Sequence, residues 1–389
     1  MKIAFIHNEK RLGTGAHYIN DLMSQKLKQA GVITKNFYPS VSLVEAPIHM
    51  GGLRNILFFY SLLEKRREIM KFDFVQGTSY TALPFLAYPI PVVSHFGSTT
   101  IGFLKNTPLA KDLEAECKKV WQNLKTEGVI KELNIKTRRP LRDIADIEGY
   151  VARNAEAVIA TSEKVRQELL SIGVCDSKIY LIHNAIEDYW LENEPTVKDF
   201  VSNPGLVFLG RLGGDSFTLK LKGLDRLVHL FQKFPNIPKN TFCITNNKRI
   251  TSWLTERIPN HKVLANTTKD KLPGLLKPLK GSILFIPSRY EGFSLSLIEG
   301  MSQGLVPVIY SVGVAPEIIK NGENGFVVSS QDEAAKRVEE ILADEKLRLK
   351  LSNQAKETAA NFSSDKIVKD LIKLYTKVKK VPKGSLICG

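Results

Sequence analysis

The stretch RYEGFSLSLIEGMSQG, residues 289–304, sets two glutamates, Glu291 and Glu299, in an otherwise apolar run with seven residues between them. The preceding SILFIPS reads as a strand, RYEGF as a loop and SLSLIEGMSQG as a helix. Glu291 would then sit at the carboxyl edge of a parallel sheet, the edge at which α/β folds bind ligands. Unpaired backbone amides of Phe293, Ser294 and Leu295 at the helix start favour an anion such as a phosphate. Glu299 lies about a turn into the helix, a reach of roughly 8 Å at 1.5 Å per residue. Two carboxylates would repel that phosphate, so they are better matched to hydroxyl donors on either side of it. A nucleotide sugar offers a hexose on one side and a ribose on the other. A plainer alternative stays open, in which Glu291 complements the helix dipole and Glu299 is a surface residue.

The elements that must position these groups alternate short β-branched runs with helical periodicity, the pattern of an α/β protein with parallel sheets. KIAFIH (2–7), VITKNFY (32–38), DFVQG (73–77), PVVSHFG (91–97), EAVIATS (156–162) and KIYLIHN (178–184) read as strands of a first half. Residues 188–205, polar and with two prolines, form the best linker candidate. The alternation restarts with LVFLGR (206–211), TFCIT (241–245), SILFIPS (282–288), VPVIY (306–310) and FVVS (326–329). Two Rossmann-like halves follow from this, as 389 residues make about two domains at roughly 150 residues each.

Composition bounds the rest. The chain is 43% hydrophobic and 24% charged, as expected of a soluble globular protein. The longest apolar run, NILFFYSLL, stops at charges, so no spanning helix is expected and the cytoplasm is the expected compartment. Four separated cysteines show no metal-ligand spacing and are expected as reduced thiols. The net charge of +15 concentrates in residues 1–150 and 201–300, which suggests an anionic partner. No nucleic-acid module accompanies that charge, so nucleic acid is not expected. The Gly13, Thr14, Gly15 stretch fails as a dinucleotide fingerprint: Tyr18 fills a small-residue position, and no acid closes the second strand near Phe37.

The block PSRYEGFSLSLIEGMSQGLVPVIYSVGVAPEIIKNGENGFVV (287–328) joins the two glutamates to Pro307, Glu317 and a GENGF turn. In these features it resembles the GT-B glycosyltransferases, specifically the large retaining family of the family 4 type to which phosphatidylinositol mannosyltransferase and sucrose synthase belong. AVIATSEKVRQEL with KIYLIHNAIE resembles the end of that family's first domain, and VFLGRL with KGLDRLV the start of its second. The resemblance covers nearly the whole chain. It implies two Rossmann-like domains facing each other across a cleft: an acceptor domain over 1–190, a linker at 191–204, and a nucleotide-sugar domain over 205–363. A helix at about 364–380 would pack back onto the first domain.

Residue by residue, the resemblance implies that Glu291 binds donor sugar hydroxyls and Glu299 the ribose. Arg211 and Lys222 would hold the diphosphate, His95 would line the acceptor and donor sugar, and Gly15 would lie against the donor phosphate. Cations there stabilise a leaving nucleoside diphosphate as its charge grows. The sequence also departs from the family: Thr14 replaces a glycine, and a long loop lets Lys220 compete with Lys222. Asn246 and Asn247 replace a glycine-rich turn near the base, and Ala185 follows Asn184 where glycine is usual. Gly300 replaces a usual alanine at a helix cost of roughly 1 kcal/mol, which suggests close packing.

No D-x-D pair occurs, so neither a metal nor another cofactor is expected. The expected reaction is transfer from a nucleotide diphosphate sugar, with UDP chosen on family frequency. Retention would come by front-face substitution, with the leaving phosphate deprotonating the acceptor hydroxyl. The acceptor expected is a glycan or lipid-linked cell-envelope precursor. RNILFFYSLLEKRREIMK (54–71) combines Phe58, Phe59 and Leu62 with Lys65, Arg66 and Arg67; it would suit an anionic membrane surface, although a helix packed on the sheet is the favoured reading. A nucleotide-sugar epimerase of the same fold and a non-catalytic nucleotide-sugar-binding subunit are the alternatives.

Overall fold

A computed structural model describes residues 1–8, 15–40, 51–134, 138–192 and 200–380. The chain divides into two compact units, Met1–Leu104 with Thr137–Ala185 and Ser363–Gly389, and Lys105–Lys136 with Ile186–Phe362.

The first unit is built on six parallel strands, β1 (Lys2–Ile6), β2 (Ile33–Phe37), β3 (Phe74–Thr78), β4 (Val92–Phe96), β5 (Ala157–Ala160) and β6 (Ile179–Leu181), ordered β2-β1-β3-β4-β5-β6. β4 and β5 are buried along their whole length, which is why they read as continuous apolar runs rather than alternating ones. Helices between the strands supply the crossovers that parallel pairing requires. The Ser364–Lys380 helix also belongs to this unit: Tyr375 is buried, donates to Gln76 Oε1 on β3 at 2.6 Å, and lies 5.0 Å from the Phe74 ring.

The second unit repeats the design with β7 (Leu206–Arg211), β8 (Lys239–Ile244), β9 (His261–Ala265), β10 (Ile283–Ile286), β11 (Val306–Tyr310) and β12 (Phe326–Val328), ordered β12-β11-β10-β7-β8-β9 and parallel throughout. β9 has no counterpart in the sequence reading. It is an edge strand with only His261 buried, so HKVLA carries no apolar run to announce it. Gly300 packs as its sequence suggested, since a Cβ there would fall 2.5 Å from Leu284 Cδ2 on β10.

The domain boundaries depart from 1–190 and 205–363. Residues 105–136 join the second unit because the Ala115–Thr126 helix buries Cys117, Trp121 and Leu124, an i, i+4, i+7 stripe, in that unit's core. Ile186 and Trp190 are buried in the same core. One thiol expectation also fails: Cys117 and Cys243 are buried and free, but Cys175, half-buried on a surface turn, is disulfide-bonded. Among the described residues no helix is long and apolar enough to cross a membrane. The Gly51–Leu63 helix packs Phe58 and Leu62 fully into the first unit's core and leaves Ile56, Leu57 and Tyr60 exposed.

Glu148 ties together the carboxyl ends of β3 and β4. It accepts from Ser79 Oγ at 2.6 Å, Thr100 N at 2.7 Å and Thr100 Oγ1 at 2.8 Å, and burial pushes its pKa up to about 7 against those bonds. A carboxyl whose folded pKa is raised stabilises fully below its unfolded value, near 4.3, and loses that contribution as pH rises through its folded value. Between pH 5 and 8 the protein is therefore expected to lose roughly 2–3 kcal/mol through this group, a loss that Glu148→Gln removes. Urea midpoints of both proteins at the two pH values check this, and parallel pH dependence would refute it.

Candidate active site

Within the second unit the loops at the carboxyl ends of β7, β8 and β10 bring most of the predicted groups together. β7 ends on Arg211, whose exposed side chain has no ion pair or hydrogen bond among the described residues. Gly213 and Gly214 follow, and a Cβ on Gly214 would lie 2.5 Å from Asn246 Oδ1, so glycine is what lets Asn246 lie over this loop. Asn247 instead caps the Lys248–Arg257 helix by accepting from Arg249 N, and donates to Val129 O at 2.9 Å.

Asp215 caps the short Ser216–Leu221 helix through Phe217 N and Thr218 N, both at 2.9 Å. The helix stops at Lys222 because Gly223 adopts φ +68°, and a Cβ there would fall 2.0 Å from Pro287 O. That contact sets Lys222 against the loop carrying Glu291. Lys222 Nζ donates to Glu291 Oε1 at 2.6 Å, and Ser288 Oγ donates to the same oxygen at 2.7 Å. Lys220 is buried and turns elsewhere, to Pro108 O at 3.2 Å and Asn134 Oδ1 at 3.3 Å. Of the two lysines, Lys222 is therefore the one that meets Glu291.

A second contact locks this geometry. Arg289 makes a two-pronged bond to Asp225, Nη1 to Oδ1 at 2.7 Å and Nη2 to Oδ2 at 2.6 Å, and Nη1 also donates to Lys220 O at 2.9 Å. Its backbone N donates to Leu221 O at 2.8 Å. Burial alone would raise the fully buried Asp225 carboxyl, but the Arg289 fork outweighs it and holds the pKa below the usual carboxylate range. The motif PSRYEG is thus clamped to KGLDR through backbone and side chain together.

The helix predicted from about Ser294 runs over Leu295–Ser302. Ser294 precedes it at φ +83°, an uncommon conformation for a residue with a side chain. No side chain caps this helix start, and Ser294 Oγ is buried without a partner. Gly313 closes against the loop, since a Cβ there would meet Phe293 O at 2.4 Å, and Phe293 itself is buried with its ring 5.9 Å from Phe362. Glu299 is not the surface residue of the plainer reading. It is 5% exposed and lies 2.8 Å from Lys269 Nζ.

His95 and Gly15 belong to the first unit. His95 is the next-to-last residue of β4 and is nearly buried, with Nε2 3.1 Å from Asn184 Oδ1 and Nδ1 without a partner. Burial lowers its pKa to about 4, so the ring is neutral at pH 7. Gly15 opens the Gly15–Gln29 helix, while Gly13 and Thr14 lie outside the described residues. Sequence reasoning missed Asp225, Arg289, Glu187 and Lys269. The first two were within reach, three residues after Lys222 and two before Glu291; Lys269 follows the unrecognised β9 and had no signal.

Residues 206–358 match the family "Glycosyl transferases group 1", and residues 29–188 match "Glycosyltransferase Family 4". Among curated relatives, an uncharacterized 41.2 kDa protein in the cps region of Klebsiella pneumoniae is 26% identical over 60% of this chain, and an uncharacterized glycosyltransferase of Methanocaldococcus jannaschii is 25% identical over 58%. The matches span 64% and 61% of those relatives' own lengths. Among solved structures, a sucrose-phosphate synthase from Thermosynechococcus elongatus superposes with a TM-score of 0.71 at 16% identity, over 97% of this chain and 98% of the other. The Anabaena protein HepE in complex with UDP-glucose gives 0.66 at 16% identity over 97% and 100%. WaaG, a glycosyltransferase involved in lipopolysaccharide biosynthesis, gives 0.65 at 13% identity over 96% and 99%. The two family matches together take in most of the chain, and with two parallel six-stranded sheets beneath them the chain belongs to the GT-B glycosyltransferases of the family 4 type.

Proposed function

We propose that this glycosyltransferase moves a hexose from a UDP-sugar to a hydroxyl of a glycan or lipid-linked envelope precursor, with retention at the anomeric carbon. The observation that carries the reading is the Lys222–Glu291 pair, 2.6 Å long, beside a helix start that no side chain caps. An ammonium, an exposed guanidinium at Arg211 and the positive end of a helix would together attract a diphosphate and steady its charge as the glycosidic bond breaks. Lys222 neutralises Glu291 in part, which lets a carboxylate stand near phosphate and accept from sugar hydroxyls. Asn246 sits within reach of a nucleoside bound above Gly214 in this reading, and Glu299 accepts from the ribose. His95, neutral and oriented by Asn184, would act by hydrogen bonding rather than as a cation. HepE, crystallised with UDP-glucose, supports the choice of donor, and WaaG and the Klebsiella cps-region relative support an envelope acceptor.

A panel of UDP-, GDP- and ADP-sugars tests the reading by thermal shift and by release of nucleoside diphosphate with and without added acceptor. A UDP-sugar is expected to stabilise the protein most and to release UDP in an acceptor-dependent way. Stabilisation by none of them overturns the proposal, and conversion of the donor sugar without acceptor would favour an epimerase.

The same reading gives the exposed Ile56, Leu57 and Tyr60, with exposed Arg66 and Arg67 just beyond, an anionic lipid surface to rest on. Sedimentation with vesicles containing anionic lipid is expected to capture the protein at low salt, less so at high salt, and less for Tyr60→Ser. Equal recovery with purely zwitterionic vesicles would dismiss it.

A further inference from the structure

Glu299 is held by a charged cluster assembled from three separate segments. Lys269 opens the turn Lys269–Lys271 beyond β9, Glu187 lies just ahead of the Asp188–Glu192 helix, and Glu299 is in the Leu295–Ser302 helix. Lys269 Nζ donates to both oxygens of Glu187 at 2.7 Å and stands 2.8 Å from Glu299 Oε1. All three side chains are nearly buried, at 11%, 12% and 7% exposure.

The two contacts differ in kind. The ammonium is hydrogen-bonded to both oxygens of Glu187 and meets Glu299 through Oε1 alone, a buried atom 2.8 Å away. Two carboxylates against one ammonium leave the cluster one negative charge in excess. Burial and the Glu187 charge raise the Glu299 pKa against the pull of Lys269, while Glu299 and Glu187 raise the Lys269 pKa against its own burial. Such a carboxylate favours ligand O–H donors, which share its excess negative charge and bring no second positive charge. A vicinal diol fits because its two hydroxyls can share the lone pairs of the carboxylate oxygen that Lys269 does not hold.

We propose that Lys269, anchored by Glu187, is a positioning residue that fixes the Glu299 carboxylate for a vicinal diol and thereby makes the enzyme discriminate ribonucleotide donors from 2′-deoxyribonucleotide ones. This rests on the proposed function, which puts the donor ribose at Glu299. Lys269 itself need not touch the nucleotide. Freed from Glu187, its ammonium would move onto Glu299 and compete with the diol; removed, it would leave two buried like charges to push the Glu299 side chain aside.

The test measures the dissociation constants of UDP and dUDP by calorimetry on the full chain. The parent protein is expected to prefer UDP by at least about tenfold, the worth of one charge-assisted hydrogen bond. Glu299→Gln should collapse that ratio. Lys269→Met should also lower it, by weakening UDP while leaving dUDP nearly unchanged. Glu187→Gln, which keeps the ammonium and removes one buried charge, should do the same and serves if Lys269→Met does not fold. A role as a mere staple between segments would weaken both nucleotides alike, and that result overturns the proposal, as does an unchanged ratio in the Lys269 and Glu187 variants when Glu299→Gln has lost it. If the parent protein shows no preference, or Glu299→Gln leaves the preference intact, the ribose is not at Glu299, and the donor-site reading falls together with this one.

Discussion

Glu291→Gln is expected to lower turnover of the donor by about 10²- to 10³-fold, the range for removing one preorganised group from a transition state, while the fold stands. Glutamine keeps the shape and the oxygen that takes the Ser288 hydroxyl. What it removes is the negative charge facing Lys222 at 2.6 Å and, on the proposed reading, one carboxylate acceptor for sugar hydroxyls. An unneutralised Lys222 would bind the diphosphate of substrate and product more tightly without favouring the transition state, so turnover should suffer more than KM. Lys222→Met should cost a similar factor, and the double variant little more than the worse single one, because the two side chains act as a pair. Initial rates of UDP release for the four proteins, with melting curves as the control for folding, measure this. Turnover close to that of the parent protein in Glu291→Gln would take Glu291 out of the site.

Asp225→Asn is expected to be the most damaging substitution for stability. Asp225 is fully buried and binds both Arg289 nitrogens, so the amide would strand a guanidinium that is only 10% exposed. Breaking one side of a buried pair costs about 3–5 kcal/mol, or a fall in Tm of roughly 10 °C for a unit of this size. Activity should fall further than stability accounts for, since the clamp is what holds the Glu291 loop against Lys222. The pH dependence has a definite sign. Because the folded pKa of Asp225 lies below the ordinary value near 3.9, the pair's contribution is present above that value and is lost as pH falls through the folded one. The gap between parent and variant should therefore be constant from neutral pH down to about 4 and close below it. Urea unfolding across that range is the measurement; a variant as stable as the parent would show that the fork carries no net energy.

Much of this architecture was legible in advance: the buried parallel strands are continuous apolar runs, and eleven of the twelve strands can be read from short stretches rich in β-branched and aromatic residues. The edge strand β9 could not be read, since HKVLA is mostly exposed and offers a single β-branched residue. The Ala115–Thr126 helix is equally plain as a helix, yet its stripe of Cys117, Trp121 and Leu124 says only that it buries a face, not in which core. The same distinction runs through the site. Glu291 could be picked out from its place between a strand end and a helix start, and Arg211 and Lys222 from the resemblance of VFLGRL and KGLDRLV to the family. Lys220 and Lys222 could not be told apart on paper, since two residues on a short helix differ by a rotation that packing alone fixes.

The sequence by itself determined the alternation of strands and helices, the two-sheet α/β class and the place of the Glu291 segment between a strand end and a helix start. Those follow from local periodicity and residue type. The tertiary structure alone decided that Lys222 meets Glu291, that Arg289 locks onto Asp225, and that Glu299 is buried in a cluster with Lys269 and Glu187. Each of these pairings joins residues about thirty to more than eighty positions apart, and their energies depend on burial and angle, which no stretch of sequence carries.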